Sequence, residues 1–169
     1  MARPELSRVP EYFHRYINQV AEDDLLLVLE KQASSFLTFL ENIPADKKDY
    51  RYAEGKWSLK ELLQHIIDTE RIFAYRALCI ARKELAPLPG FDENSYADNS
   101  KADKRDWKEL LEEFKIVRRS TQILFGSFDQ EQSEASGIAS GKPIYVLGIG
   151  FILAGHVNHH LTVIKERYL

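Results

Sequence analysis

The stretch Trp57-Ser58-Leu59-Lys60-Glu61-Leu62-Leu63-Gln64-His65-Ile66-Ile67-Asp68 decides the fold class. Ser58 followed three residues later by Glu61 reads as a capping box, in which hydroxyl and carboxylate satisfy the free backbone donors of a helix start reciprocally. Trp57, just before the cap, can pack on Leu62 as a hydrophobic staple. Beyond the cap, Leu62, Leu63, Ile66, Ile67, Phe73 and Leu78 recur at helical steps, so a helix is predicted to about residue 82. The same periodicity recurs on either side. Leu25, Leu26, Leu29, Phe36, Leu37 and Leu40 mark a helix over 22–42 that Pro44 ends, with a short lead-in helix over 10–20. Trp107, Leu110, Leu111, Phe114, Val117 and Leu124 mark another over 103–125. The fourth is predicted to begin with Pro143 as its first residue and to reach about residue 167. No convincing alternating strand pattern interrupts them. The expected architecture is all-α, a four-helix bundle in a single domain spanning 1–169, with long loops near 83–102 and 127–142. Loops of that length on a rigid scaffold commonly shape a pocket.

Composition bounds the function. The 169 residues include 23 Lys and Arg against 26 Asp and Glu, a net charge of −3. Nucleic acid is thereby disfavoured as a partner, because phosphate binding normally shows as a basic excess. The one cysteine, Cys79, excludes an internal disulfide and suits a reducing, cytoplasmic setting. The N-terminal Met1-Ala2-Arg3-Pro4-Glu5 has no apolar run behind its charge, so no signal peptide is expected. No Lys, Arg, Asp or Glu occurs from 143 to 164, a length that can span a bilayer. The end of that segment, however, carries His156, Asn158, His159 and His160. Such polar clusters are expensive inside a membrane, and a buried core helix is the expected reading.

The histidines carry the chemistry. His156 and His160 are four residues apart, so one helix presents both imidazoles on one face. That is the ligand spacing of HExxH sites, but Val157, Asn158 and His159 intervene and the glutamate of that motif is absent. His65 borders the apolar face of its helix, where the fourth helix can meet it. Two readings stay open on spacing alone: a three-imidazole site for a divalent first-row ion such as zinc, nickel or iron, or buried structural histidines. Three protein ligands would leave a coordination position for water or substrate, the pattern of a catalytic site. Asp68, one turn after His65, is a candidate acid–base or orienting group, or else a helix-surface charge. His159 points about 100° away from His160, and His14, among Tyr12, Phe13 and Tyr16, reads as packing or surface. A di-iron site fails for want of inward glutamates at Glu-x-x-His spacing. Cys79 lies about 21 Å of helix beyond His65 and should not join the site. Gly148 and Gly150, in an apolar helix, read as close-packing positions rather than a phosphate loop.

The run Tyr52-Ala53-Glu54-Gly55-Lys56-Trp57-Ser58-Leu59-Lys60-Glu61 with His65-Ile66-Ile67-Asp68 resembles the Lys-Trp-Ser…His signature of the DinB-like family. Ala154-Gly155-His156-Val157-Asn158-His159-His160 is similar to that family's second signature, about 90 residues on. Pro87-Leu88-Pro89-Gly90-Phe91 and Ile164-Lys165-Glu166-Arg167-Tyr168 also fit. The resemblance implies a four-helix bundle with a three-histidine metal site, its ligands His65, His156 and His160. It does not imply DNA binding, since the family name refers to damage-inducible expression, and the acidic balance argues against such binding. Relatives include thiol-dependent S-transferases and isomerases that use a low-molecular-weight thiol, and others described as metal-dependent hydrolases. Many are dimers, so a homodimer is an expected assembly. The leading expectation is a metal-dependent enzyme acting on a small-molecule substrate. It would activate a thiol, with Trp57 walling the substrate pocket and Asp68 positioning a proton. The alternatives are a metal-dependent hydrolase and a non-enzymatic metal- or ligand-binding stress protein.

Overall fold

The computed structural model describes residues 3–169; Met1 and Ala2, the start of the stretch expected to hold no signal peptide, lie outside the described residues. Two 3-10 turns and the one-turn helix α1 (His14–Ile17) lead into α2 (Leu25–Glu41). α3 (Leu59–Ala81) follows, then the short α4 (Glu93–Ser100), α5 (Trp107–Gly126) and the short α6 (Gln130–Glu134). An antiparallel hairpin, β1 (Ser136–Ala139) and β2 (Lys142–Tyr145), feeds α7 (Val146–Val163), which closes with a π-helical turn at Ile164–Tyr168. α2, α3, α5 and α7 are the four predicted long helices and form the bundle.

Three of the four long helices start where a side chain takes over orphan backbone donors, whereas α7 follows Tyr145 with no side-chain cap. Asp24 caps α2 and Asp106 caps α5. At α3 the capping box forms as expected: Ser58 Oγ accepts from the Glu61 amide at 3.2 Å and Glu61 Oε2 accepts from the Ser58 amide at 2.6 Å. Arg51 holds the same carboxylate from outside, its Nη2 donating to Glu61 Oε1 at 2.9 Å.

α7 is the core helix. Gly148 to Val157 are all buried, and 72% of its apolar stretch lies inside the bundle, so the charge-free segment is covered by the other helices. Gly155 lets α1 cross it at backbone contact, for a Cβ at this position would sit 2.0 Å from the Tyr16 carbonyl oxygen. Overpacking against a backbone atom cannot be relieved by a rotamer change. Gly155→Ala is therefore expected to destabilise by about 1–3 kcal/mol, read as a lower urea midpoint with an unchanged denaturant slope.

Two expectations require correction. Pro143 does not begin the fourth helix; it lies in β2 opposite Ile138, and α7 starts three residues later. The hairpin closes through Ser140 and Gly141, with φ of 52° and 72°, so both turn residues are left-handed as a two-residue hairpin of right-twisted strands requires. The Ile138–Pro143 pair is the one next to the turn-closing pair, where cross-strand N–H bonds are not made. The missing proline donor is therefore lost to solvent and not to the ladder. The opposite edge of β1 is taken by Leu88, whose amide donates to Ile138 O at 2.9 Å and whose carbonyl accepts from the Ser140 amide at 3.0 Å. The second correction concerns the 83–102 connection, which contains α4, capped by Asp92. Both connections fold back over one side of the bundle, and that placement builds the site.

Between two apolar clusters lies a polar layer to which each long helix contributes. Arg118 of α5, fully buried, donates Nε and Nη2 to Glu70 of α3 at 2.8 Å each and Nη1 to Gln32 of α2 at 2.6 Å. Gln32 Nε2 in turn donates to the Ala154 carbonyl and to Asn158 Oδ1 of α7, at 2.8 and 2.7 Å.

Candidate metal centre

α3 and α7 run side by side and bring His65, 91 residues away in sequence, onto the His156/His160 face. His65 Nε2 lies 3.0 Å from His156 Nε2, and His160 Nε2 lies 2.9 Å from the same atom. The three ligand atoms fall within 4.8 Å of one another, and among the described residues no carboxylate or thiol joins them. Trp57 packs against His65 at 4.7 Å between ring centroids, and Tyr16 meets His156 edge-on at 5.6 Å. His159 turns away to the Tyr16 ring, and His14 Nε2 binds the carbonyls of Leu6 and Val9.

The arrangement is poorly satisfied by hydrogen bonds alone. An imidazole Nε2 offers one lone pair or one proton, so His156 Nε2 can make one good bond to its two neighbours, not two. Nor can the conflict be relieved by adding protons. Burial holds His65 down at about 4 and His156 and His160 well below the ordinary histidine value, where each also faces the other imidazoles. Three neutral nitrogens converging on one point are the donor set of a divalent first-row cation. The residues present fit such an ion.

Neutral burial has a measurable consequence. In the unfolded chain the three histidines take up protons near pH 6.5, while the folded ones do so only at lower pH. Between those values the unfolded state binds more protons, so stability falls with falling pH. Metal-free protein is expected to lose stability steadily as the pH falls below about 6.5, with His65 contributing down to about 4 and His156 and His160 adding to the loss in the same direction. Urea denaturation across that range measures it, and a flat profile would contradict neutral burial.

The trio lies at one end of a cavity of about 430 Å³. Its walls are largely aromatic and aliphatic, with Trp57, Phe13, Phe73 and Phe91 among them, and Thr69, Arg76, Glu93 and Ser140 supply polar groups. Thr69 Oγ1 is buried and has no hydrogen-bond partner among the described residues.

Of the residues singled out in the sequence, the structure brings together His65, His156, His160 and Trp57. It does not bring Asp68 to them. Three residues turn a helix by 300°, so Asp68 stands about 60° round from His65 on the side of Gln64 and the Glu113 of α5, whereas Thr69 stands about 40° round on the other, cavity side. There its Oδ1 accepts from Gln64 Nε2 at 2.9 Å beside Arg71, and burial raises its pKa. Gln64 is tied in turn to Arg105, which also pairs with Glu113. Sequence reasoning missed Thr69 and Arg76 and took Phe73 only as an apolar helix position, although steps of 4, 8 and 11 from His65 place all three on its face.

A helical bundle presenting three convergent histidines to a partly open cavity is the architecture of a protein that could hold a metal ion, and the comparisons narrow the class. The sequence profile of the DinB superfamily matches residues 28–164, and the chain belongs to that superfamily. Among solved structures, YfiT from Bacillus subtilis matches with a TM-score of 0.74 at 17% identity, covering 96% of this chain and 89% of YfiT. YfiT is described as a probable metal-dependent hydrolase with an unusual four-helix bundle topology; at this identity the likeness shows the fold. A comparison with curated proteins found no match.

Proposed function

We propose that this protein is a cytoplasmic metal-dependent enzyme that joins a small thiol to an organic electrophile. The observation that carries the reading is the meeting of three convergent imidazoles, which no carboxylate among the described residues joins, with a chamber that also presents Trp57, Phe13, Phe73 and Phe91. His65, His156 and His160 would hold the ion. Bound there, a zinc, nickel or iron ion supplies Lewis acidity that favours the anion of a thiol or of water. A thiol, ordinarily ionising near pH 8.5, needs less help from a protein base than water does. The lack of an adjacent carboxylate therefore favours sulfur. Trp57 walls the His65 side and limits water access, while Phe13, Phe73 and Phe91 receive the apolar body of the reactants. Thr69 Oγ1, lacking a partner, is placed to hydrogen-bond a reactant near the trio. The net change is formation of a C–S bond, loss of the electrophile's leaving group and release of the thiol proton to solvent.

Hydrolysis is the second reading, favoured by the likeness to YfiT and by the Thr69 hydroxyl, which suits a water molecule as well. One experiment separates the two. Protein reconstituted with zinc or nickel is assayed with small thiols and a fluorogenic alkylating agent, and in parallel with activated esters without thiol. Turnover requiring both metal and thiol is the expected result. Metal-dependent ester cleavage indifferent to thiol would replace this reading with hydrolysis.

A further inference from the structure

Eleven residues beyond His65, nearly on the same face of α3 and about 16 Å farther along its axis, stands Arg76. It is 5% exposed and lines the same cavity as the histidines. One nitrogen of its guanidinium is engaged: Nη2 donates to the Pro89 carbonyl at 2.7 Å and to Ser140 Oγ at 3.0 Å. The group lies over the Phe73 ring at 4.9 Å and near Phe91 at 5.8 Å. Among the described residues no hydrogen bond uses its Nε or Nη1, and no carboxylate comes within ion-pair distance of it. Glu93 shares the cavity wall but is exposed and does not pair with it.

The contrast with Arg118 is instructive. That arginine, with no exposed surface at all, has a carboxylate and an amide in place. A buried cation without a counter-charge is unfavourable, and the fold nevertheless clamps Arg76 with the hairpin tip and the Pro89 carbonyl. Ser140 reaches it from a left-handed turn position, a conformation unusual for a residue other than glycine. The molecule thus maintains a positioned, unneutralised positive charge at the far end of an apolar chamber.

We propose that Arg76 is the anion-binding group of this cavity, and that the substrate or co-substrate is an organic carboxylate with an apolar body, held with its carboxylate at Arg76 and its reacting end toward the histidines. A monoanion suits the site better than a phosphate dianion, because it offers one cation and has Glu93 on its wall. The inference deepens the enzyme reading above and rests on the chamber being the substrate site.

Calorimetric titration of octanoate against 1-octanol tests it, on the full chain in metal-free and zinc-loaded forms, with Arg76→Gln and Arg76→Lys variants. In metal-free wild-type protein octanoate is expected to bind about tenfold or more tighter than octanol, as charge-assisted bonds imply. That preference should vanish in Arg76→Gln and largely survive in Arg76→Lys. Equal binding of the two probes, or a preference undiminished in Arg76→Gln, overturns the proposal. A preference present only with zinc and kept in Arg76→Gln assigns the anion to the metal, which also overturns it while leaving the three-histidine reading intact. An Arg76-dependent preference in protein that takes up no zinc supports it and removes the metal reading instead. Should Arg76→Gln fail to fold, the Arg76 Nε–H resonance of the wild type decides: a shift with octanoate and none with octanol supports the proposal, and no shift overturns it.

Discussion

His156→Ala is expected to abolish metal retention. His156 supplies the central nitrogen of the trio, 3.0 Å from that of His65 and 2.9 Å from that of His160. Its removal leaves two imidazoles from different helices and no third donor, because among the described residues no carboxylate or thiol stands ready to replace it. Losing a partner that merely orients a ligand costs metal sites roughly 10–100-fold in affinity, and loss of the ligand itself should exceed the upper figure. Elemental analysis after dialysis should find about one zinc or nickel per chain in the wild type and almost none in the variant. Thermal unfolding gives an independent readout. An ion that binds only the folded state stabilises it by about 4 kcal/mol at a thousandfold excess over its dissociation constant. Added metal should therefore raise the wild-type melting temperature and leave that of His156→Ala unmoved. His159→Ala, which removes a neighbouring imidazole outside the trio, should retain its metal. Equal metal content in His156→Ala and wild type would sink the three-histidine assignment.

The largest stability effect is expected at Glu70. Glu70→Ala leaves Arg118, which has no exposed surface, without its carboxylate in the middle of the bundle. Breaking a buried pair from one side costs about 3–5 kcal/mol, a large part of the 5–15 kcal/mol that typically holds a domain together. Urea denaturation at neutral pH should show the loss as a shifted midpoint. A double variant, Glu70→Leu with Arg118→Met, removes both charges and should recover much of the stability, since well-packed apolar pairs can replace buried ion pairs at little cost. The two single losses will therefore not add. The double variant should also keep its metal, because neither side chain belongs to the trio. Failure of the double variant to recover would mean that the Gln32 bond to Arg118, and with it the tie to α7, matters more than the charge pair itself.

The long helices were legible because their information is local. The capping box at Ser58 and Glu61 and the apolar steps along residues 62–78 lie within a few turns of one another. So does the pairing of His156 with His160, which a 3.6-residue helix places on one face wherever that helix goes. The hairpin was not legible in the same way. Pro143 is as good a first residue for a helix as it is for an edge strand, and the choice fell to β1, whose outer edge binds Leu88 from a distant loop. Asp68 was placed by sequence proximity to His65, but a one-residue difference in helical position turned it toward Gln64 and α5.

Cap and periodicity along the four helical segments set a helical bundle, and spacing within 154–160 set two of the three candidate ligands on one face. His65 shows in the sequence as a histidine bordering an apolar helix face, within a stretch that resembles a family signature, but it reaches His156 only because α3 and α7 pack together across 91 residues. The pairing of Glu70 with Arg118 and the lack of any such pair at Arg76 were decided the same way. An arginine's charge is read from its letter, but whether a carboxylate faces it depends on which helices meet, and that is settled by burial of the whole apolar surface at once.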